Sequence, residues 1–286
     1  MLRRWQLPAK LNWTLEVLGR RPDGFHELRS WFLAVGQGDR LGLELGAGVG
    51  IELSGPCALG VPDDPRNLVL RAEAAWRSAG GQAPGARWSL EKRLPAGSGL
   101  GAGSADAAGA LHALEAVASR PLGVAACRAL AAGLGSDVPF FVDGRGAELR
   151  GGRGEQLLAR ATPPRGSLVI AWPAFPVATA AVFAALGAPL LRPDDAREAR
   201  GAALPPEPGS NDLEAAADSS HPALGAFAET LRQHGRFCLS GSGGAHFCVC
   251  PGPAEAKGVV AGLQRAGIDA LVTAALATTE PQELPV

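Results

Sequence analysis

Tyrosine is absent from the 286 residues and methionine occurs once. Of the 27 basic residues Lys+Arg only three are lysine, at 10, 92 and 257, which leaves 24 arginines. Asparagine also occurs only three times, at 12, 67 and 211. With its excess of Ala, Gly, Pro and Arg the chain reads as the product of a GC-rich coding bias. Positions that keep a lysine or an asparagine against that drift are the first to examine. Cysteine is scarce too: five residues, at 57, 127, 238, 248 and 250, are too few and too scattered for a disulfide framework. Cys248, Cys250 and His246 share one face of a strand, but no CxxC pair or second ligand cluster accompanies them. They read as small buried core residues, no protein ligand set for a metal is expected, and the chain reads as reduced and cytoplasmic.

An excess of either charge is missing as well. A net charge of −1 gives no global field toward nucleic acid or an anionic membrane, so neither partner is expected. The start MLRRWQLPAKLNW has no apolar core of a secretory signal. The uncharged run 166–191 is long enough to span a bilayer, but Pro173, Pro176 and Pro189 divide it. It reads as a buried strand LVIAW, a loop and a short helix.

What is present is a mixture of strands and helices. WTLEVLG and DRLGLELG alternate as half-buried strands do. NLVLRAEAAWRSAG, 67–80, has helical spacing, and ARWSLEKRL is a strand with Trp88, Leu90 and Leu94 on one face. A helix is predicted over 104–119, with Asp106 in its first turn, and another over about 122–134. FFVDGRGAELRGG predicts a hairpin turning at Asp143-Gly144. After a boundary in ARATPPRG, 159–166, come helices near 177–187 and 221–234, strands FCLSG and FCVC, and a helix near 253–266. The segment 192–210 reads as a mobile surface loop, and the tail after about 276 as disordered. No internal repeat is present. The expected division is 1–160 and 161–286.

Between the strand and the alanine-rich helix stands LPAGSGLGAGSADAAGA, with glycine at 97, 99, 101 and 103. Strand, glycine loop and helix N-terminus form an anion-binding arrangement. The GxxxxGK[ST] pattern fails because no lysine follows. GxGxx[G/A] fits Gly97, Gly99 and Ala102 only formally, since Pro95 interrupts the strand-to-helix turn. GxGxxGxV fails too, with no HRD or DFG downstream. A purely structural glycine turn is the plain alternative.

PAGSGLGAGSADAA closely resembles the phosphate loop of the GHMP kinases (galacto-, homoserine, mevalonate and phosphomevalonate kinases). The resemblance implies that Pro95, Ala96, Gly97, Ser98, Gly99, Leu100, Gly101, Ala102, Gly103, Ser104, Ala105 and Asp106 wrap the phosphates of ATP, with Mg2+ as companion ion. PAKLNWTLEVLGRRPDGFHELRS, 8–30, is similar to the motif PAKxNLxLxVxGxRxDGYHxL of the branch that phosphorylates 4-diphosphocytidyl-2-C-methyl-D-erythritol. LGSDVPFF, 134–141, and SGSGGAHF, 240–247, resemble two further motifs of that branch. The GEH-type sequence of mevalonate kinases and galactokinases is absent. All three asparagines and two of the three lysines lie in these segments. The resemblance covers about 7–250. It implies an α+β fold of two domains, the first like domain 2 of ribosomal protein S5, the second ferredoxin-like, with substrate between them. A homoserine- or phosphomevalonate-type kinase is the alternative, against which DGFH and Phe183 speak.

Phosphoryl transfer needs charge neutralisation, positioning and acceptance of the alcohol proton. The resemblance makes Asp137 the base and places Lys10 beside it; alone, they read as a turn aspartate and a strand-end lysine. Asn12 lies two residues along the same strand face, in reach of the sugar. Ser104 is the hydroxyl for a phosphate or Mg2+, or a plain N-cap, and Asp106 an outer partner of that ion. Asn67 and Lys92 match positions around adenosine, or are surface residues. Phe25 and Phe183 would sandwich the pyrimidine, with His26 on its edge. Phe25 stands where the family has Tyr, and Ala105 where a second Ser is common. Gly241, Ser242 and Gly243 would bring backbone amides to the substrate phosphates. Ser210-Asn211-Asp212 resembles a family segment without an evident role. A monomer or homodimer is expected.

Overall fold

The computed structural model describes residues 2–46, 48–187, 189, 203–205 and 207–285. Most of the loop expected at 192–210 (192–202 and 206) lies outside them. β1 (Leu2–Gln6) leads to the long β2 (Ala9–Arg20), which hairpins with β3 (His26–Val35). β4 (Arg40–Leu45), β5 (Gly50–Ser54), α1 (Leu68–Ser78) and β6 (Ala86–Glu91) follow. Then come α2 (Ala102–Val117), α3 (Val124–Leu134), α4 (Val138–Asp143) and the hairpin β7 (Ala147–Gly151) and β8 (Gln156–Ala161). The second half runs β9 (Ser167–Trp172), α5 (Thr179–Leu186), α6 (Glu214–Ser220), α7 (Pro222–Arg232) and β10 (Cys238–Leu239). It continues with β11 (His246–Cys250), α8 (Pro253–Arg265) and β12 (Asp269–Thr273), and β13 (Gln282–Leu284) ends the chain. The strands form three sheets, ordered β13-β1-β4-β6-β5, β2-β3-β7-β8 and β10-β11-β9-β12.

Side-chain alternation sorts these layers. In β9, Leu168, Ile170 and Trp172 face a core shared with Ala9, Leu11 and Trp13 of β2, while Val169 and Ala171 face the opposite core with Leu231 and Leu263. Trp13 stacks on Phe247 of β11 at 5.8 Å, so the two four-stranded sheets are joined by one apolar layer. α2 is rich in alanine because it is buried nearly all round. A Cβ at its Gly109 would come within 2.6 Å of Leu7.

Three expectations are corrected. FFVD is the short helix α4, not a strand, with Phe140 and Phe141 both buried and Pro139 in its first turn, where proline is tolerated. The hairpin turn is at 152–155 instead. α2 begins at Ala102, so Asp106 is past the first turn. The tail is ordered from 277 to 285: Thr279 is buried and β13 pairs with β1. β1, β3, β5, β8, α6, β12 and β13 had no counterpart in the sequence reading.

Candidate active site

A cleft of about 1120 Å3 opens between the start of β2, the glycine loop, Asp137 and α5. Because Ala9, Leu11 and Trp13 face the core, Lys10 and Asn12 project from the other face of β2 into this cleft. Lys10 Nζ donates to Asn12 Oδ1 at 2.6 Å and lies 3.5 Å from Asp137 Oδ2. It also sits 4.9 Å over the Phe32 ring. The Lys10 side chain is 5% exposed and that of Asp137 26%, so an accessible carboxylate stands beside a nearly buried ammonium. Asn12 is fixed from both ends: Nδ2 donates to Ser30 Oγ at 2.7 Å, and its backbone N–H to Ser240 Oγ at 3.1 Å.

The glycine loop meets the turn after β10 with no room for side chains. A Cβ on Gly99, where φ is +87°, would sit 2.0 Å from Ser240 O, and one on Gly243 2.0 Å from the Ser98 carbonyl carbon. Ser240 Oγ donates to Gly99 O and Ala245 N–H to Ser98 O, clasping the two turns. Of the four loop glycines, three are therefore held by packing: Gly99 here, Gly101 against Lys10 and Phe141, and Gly103 against Leu68. Only Gly97 faces open space. Gly101 is the N-cap of α2 and supplies no side-chain cap, so Ser104 is not the cap, and the first amides of a 16-residue helix point to the cleft without a side-chain partner. Ser98 Oγ is buried in this loop without a partner among the described residues. Ser104 and Ala102 line the cleft; Leu100 and Ala105 belong to the core, and Pro95 and Ala96 lie off the cleft.

Two positions expected near adenosine do not line the cleft. Lys92 is buried, with its ammonium bound to Asp39 and, at 2.8 Å, to Asp106 Oδ2. Asp39 Oδ1 in turn accepts from the backbone of Arg93 and Leu94. This triad braces the entry to the loop, and Asp106 does not line the cleft. Burial pushes the Asp106 carboxyl up to about 7, against the pull of Lys92. Its Oδ1 is buried without a partner among the described residues. Asn67 caps α1, accepting from Val69 N–H at 2.9 Å and donating to Pro62 O.

At the other end of the cleft His26 stacks on Phe183 at 4.9 Å and 27°, while Phe25 stands apart, 53% exposed, under the guanidinium of Arg153. The aromatic partner of Phe183 is therefore His26, which had been expected on the pyrimidine edge, and Phe25 lies under Arg153 and not opposite Phe183. Burial, then the charge of Arg20, lowers the His26 pKa. Gly241 and Ser242 line the cleft, and Ser242 Oγ donates to Thr179 Oγ1 at 3.1 Å; Gly243 lies behind them against Ser98. The Ser210-Asn211-Asp212 segment now has a part to play. Asn211 Nδ2 donates to Leu239 O and Gly241 O, and Asp212 Oδ2 accepts from Val17 N–H, tying the turn to β2. His246 is buried and neutral, its pKa pushed down to about 4 by that burial, with Nδ1 3.0 Å from Gly244 O. No group of three potential metal ligands occurs among the described residues. Ser30, Asp39, Arg153, Thr179 and Ser240 had not been singled out. Ser240 heads a quoted motif and was within reach; Arg153 was one arginine among many.

Residues 67–145 match the GHMP kinases N terminal domain and residues 194–269 the GHMP kinases C terminal domain. The 4-diphosphocytidyl-2-C-methyl-D-erythritol kinase of Halorhodospira halophila is 39% identical over 260 residues, 88% of this chain and 86% of its own. That of Thermus thermophilus is 40% identical over 255 residues, 87% of this chain and 88% of its own. A crystal structure of 4-(cytidine 5'-diphospho)-2C-methyl-D-erythritol kinase superposes with a TM-score of 0.76 at 36% identity, covering 96% of this chain and 99% of its own. With the loop, the Lys10–Asp137 pair and the aromatic end in place, the chain belongs to the GHMP kinase family, has its two-domain α+β fold, and falls in the 4-diphosphocytidyl-2-C-methyl-D-erythritol kinase branch.

Proposed function

We propose that this protein transfers the γ-phosphoryl group of ATP to the 2-hydroxyl of 4-diphosphocytidyl-2-C-methyl-D-erythritol, giving the 2-phosphate and ADP, in the methylerythritol phosphate route to isoprenoid precursors. One observation carries the reading: Lys10 and Asp137, 3.5 Å apart, stand in a single cleft with the glycine loop on one side and His26–Phe183 on the other. Asp137 accepts the proton as the alcohol O–H bond breaks and the oxygen bonds to the γ-phosphorus. The bond to the β–γ bridging oxygen breaks in the same displacement, and ADP leaves. Lys10 offsets the charge developing on the transferring group. Asn12 holds Lys10 in place and faces the alcohol.

The loop amides, the helix N-terminus and the unpartnered Ser98 hydroxyl suit the phosphates of ATP. Mg2+, when bound, would supply charge neutralisation to the phosphates, and the Ser104 hydroxyl is the group that would hold it. His26 in its neutral form offers one donor and one acceptor to a pyrimidine edge. We also infer a cytoplasmic monomer or homodimer without nucleic-acid or membrane partners, divided near 160/161, close to the β8–β9 connection. No helix among the described residues is long and apolar enough to cross a membrane.

The test is ADP release with Mg-ATP and 4-diphosphocytidyl-2-C-methyl-D-erythritol, with homoserine and phosphomevalonate as parallel acceptors. Turnover with the cytidine substrate alone is expected. Turnover with another acceptor would remove the reading of the aromatic end and leave the rest.

A further inference from the structure

The turn between β7 and β8 carries a cation that neither the fold nor the chemistry above uses. Most nearby arginines are engaged by carboxylates: Arg21 by Asp23 and Glu27, Arg29 by Glu16, Arg150 and Arg160 by Glu148. Arg20, beside His26 at the end of the cleft, has none among the described residues. Arg153 has no carboxylate partner among the described residues, and its guanidinium lies 4.5 Å over the Phe25 ring, at the wall of the cleft. Phe25 is 53% exposed, and an exposed cation–π contact stabilises by only about 0.5–1 kcal/mol. That is a resting place from which a phosphate can draw the guanidinium.

The turn itself is fixed. Arg153 N–H donates to Glu155 Oε2 at 2.7 Å, and Gly152 N–H to Glu27 Oε1 at 2.9 Å. The next residue, Gly154, packs on the base: a Cβ there would be 3.3 Å from Asp137 Oδ1. One turn therefore touches the catalytic carboxylate and, one residue earlier, sends a guanidinium toward the aromatic end. Lys10 is already engaged by Asn12 and Asp137, and Arg20 stands at the far end of β2, across from His26.

We propose that Arg153 recognises the diphosphate linking the two ends of the substrate, as a specificity-determining residue. This rests on the substrate reading above. A ligand with its base beside His26–Phe183 and its hydroxyl at Asp137 must run its diphosphate through the span that this turn borders. Arginine's planar fork matches phosphate oxygens in pairs, which a point charge does not.

The experiment measures equilibrium binding of cytidine diphosphate, cytidine and ATP to the full chain and to its Arg153→Ala and Arg153→Lys variants. Arg153→Ala is expected to weaken cytidine diphosphate roughly tenfold while leaving cytidine and ATP unchanged, with Arg153→Lys recovering part of the loss. In turnover the same variant should raise KM for the cytidine substrate and keep kcat. Equal weakening of cytidine and its diphosphate would assign the guanidinium to the base and overturn the proposal, as would no weakening at all. If the wild-type chain bound neither nucleotide, the substrate reading itself would fall and this inference with it. Unchanged ATP binding shows that each variant is folded.

Discussion

Gly243→Ala probes the clasp between the glycine loop and the turn after β10. The added Cβ would stand 2.0 Å from the Ser98 carbonyl carbon and 2.3 Å from Gly99 N, where ordinary contact begins near 3.4 Å. Both neighbours are backbone, so no side chain can swing aside, and the two turns must part by about 1.4 Å, the difference between 3.4 and 2.0 Å. Overpacking of this kind costs about 1–3 kcal/mol. Taking about 2 kcal/mol, Tm should drop by roughly 4–8 °C for a chain of this size. The rate should suffer more. Ser240 holds both Asn12 and Gly99, so parting the turns moves the loop relative to Lys10. A misplacement of about 1 Å at reacting groups costs on the order of a hundredfold. The assay is steady-state turnover with thermal unfolding of the same preparation. Gly258→Ala is the control, since it lies inside α8 with open space around it and should be neutral or slightly stabilising. A Gly243→Ala protein with wild-type kcat and Tm would refute the clasp.

Lys10→Ala and Asp137→Ala should each reduce kcat by at least about a hundredfold in a protein that still folds, checked by ADP release; near-wild-type turnover of Asp137→Ala would remove it as the base. Asn211→Ala leaves Leu239 O, Gly241 O and Leu213 N–H without their partner and should cost roughly 2 kcal/mol by chemical denaturation; an unshifted midpoint would show that its tie to the turn after β10 carries no weight. Because the folded Asp106 carboxyl titrates near 7 and not at its ordinary 3.8, the neutral form favours folding, and that stability is full below about 4 and lost as pH rises through 7. His246, pushed down to about 4, acts in the opposite sense, losing stability as pH falls from 6.5. Asp106→Asn should therefore uncover a steady loss of stability from pH 6.5 toward 4; a variant as flat as the wild type would contradict the assignment.

What the sequence revealed of this site depended on how far apart the partners lie. Lys10 and Asn12 stood in one motif and Asp137 in another; the family resemblance gave their chemistry, and the fold brings them to one place. Asn67 and Asn211 survived the compositional drift because each satisfies buried backbone groups, a task that no motif states. Lys92 was misread because its partner Asp39 is on a distant loop, and only burial tells a brace from a ligand. FFVD was misread because a short apolar run between glycines fits strand and helix equally well, and the packing of Phe140 and Phe141 decided. The glycines were legible as a loop but not as a seam, since the surfaces that press on them come from distant residues, 240 and 243 on Gly99, Lys10 and Phe141 on Gly101 and Leu68 on Gly103. Arg153 was hidden by abundance.

The apolar layer that unites Trp13 with Phe247 has a consequence for how the molecule comes apart. Neither half can be peeled from the other without opening a layer that both need, and the last strand is laced back onto the first. A hinge through the middle of the chain is thereby disfavoured. Heated in a calorimeter, the protein should melt in a single transition, since a chain legible as two units is, thermodynamically, one.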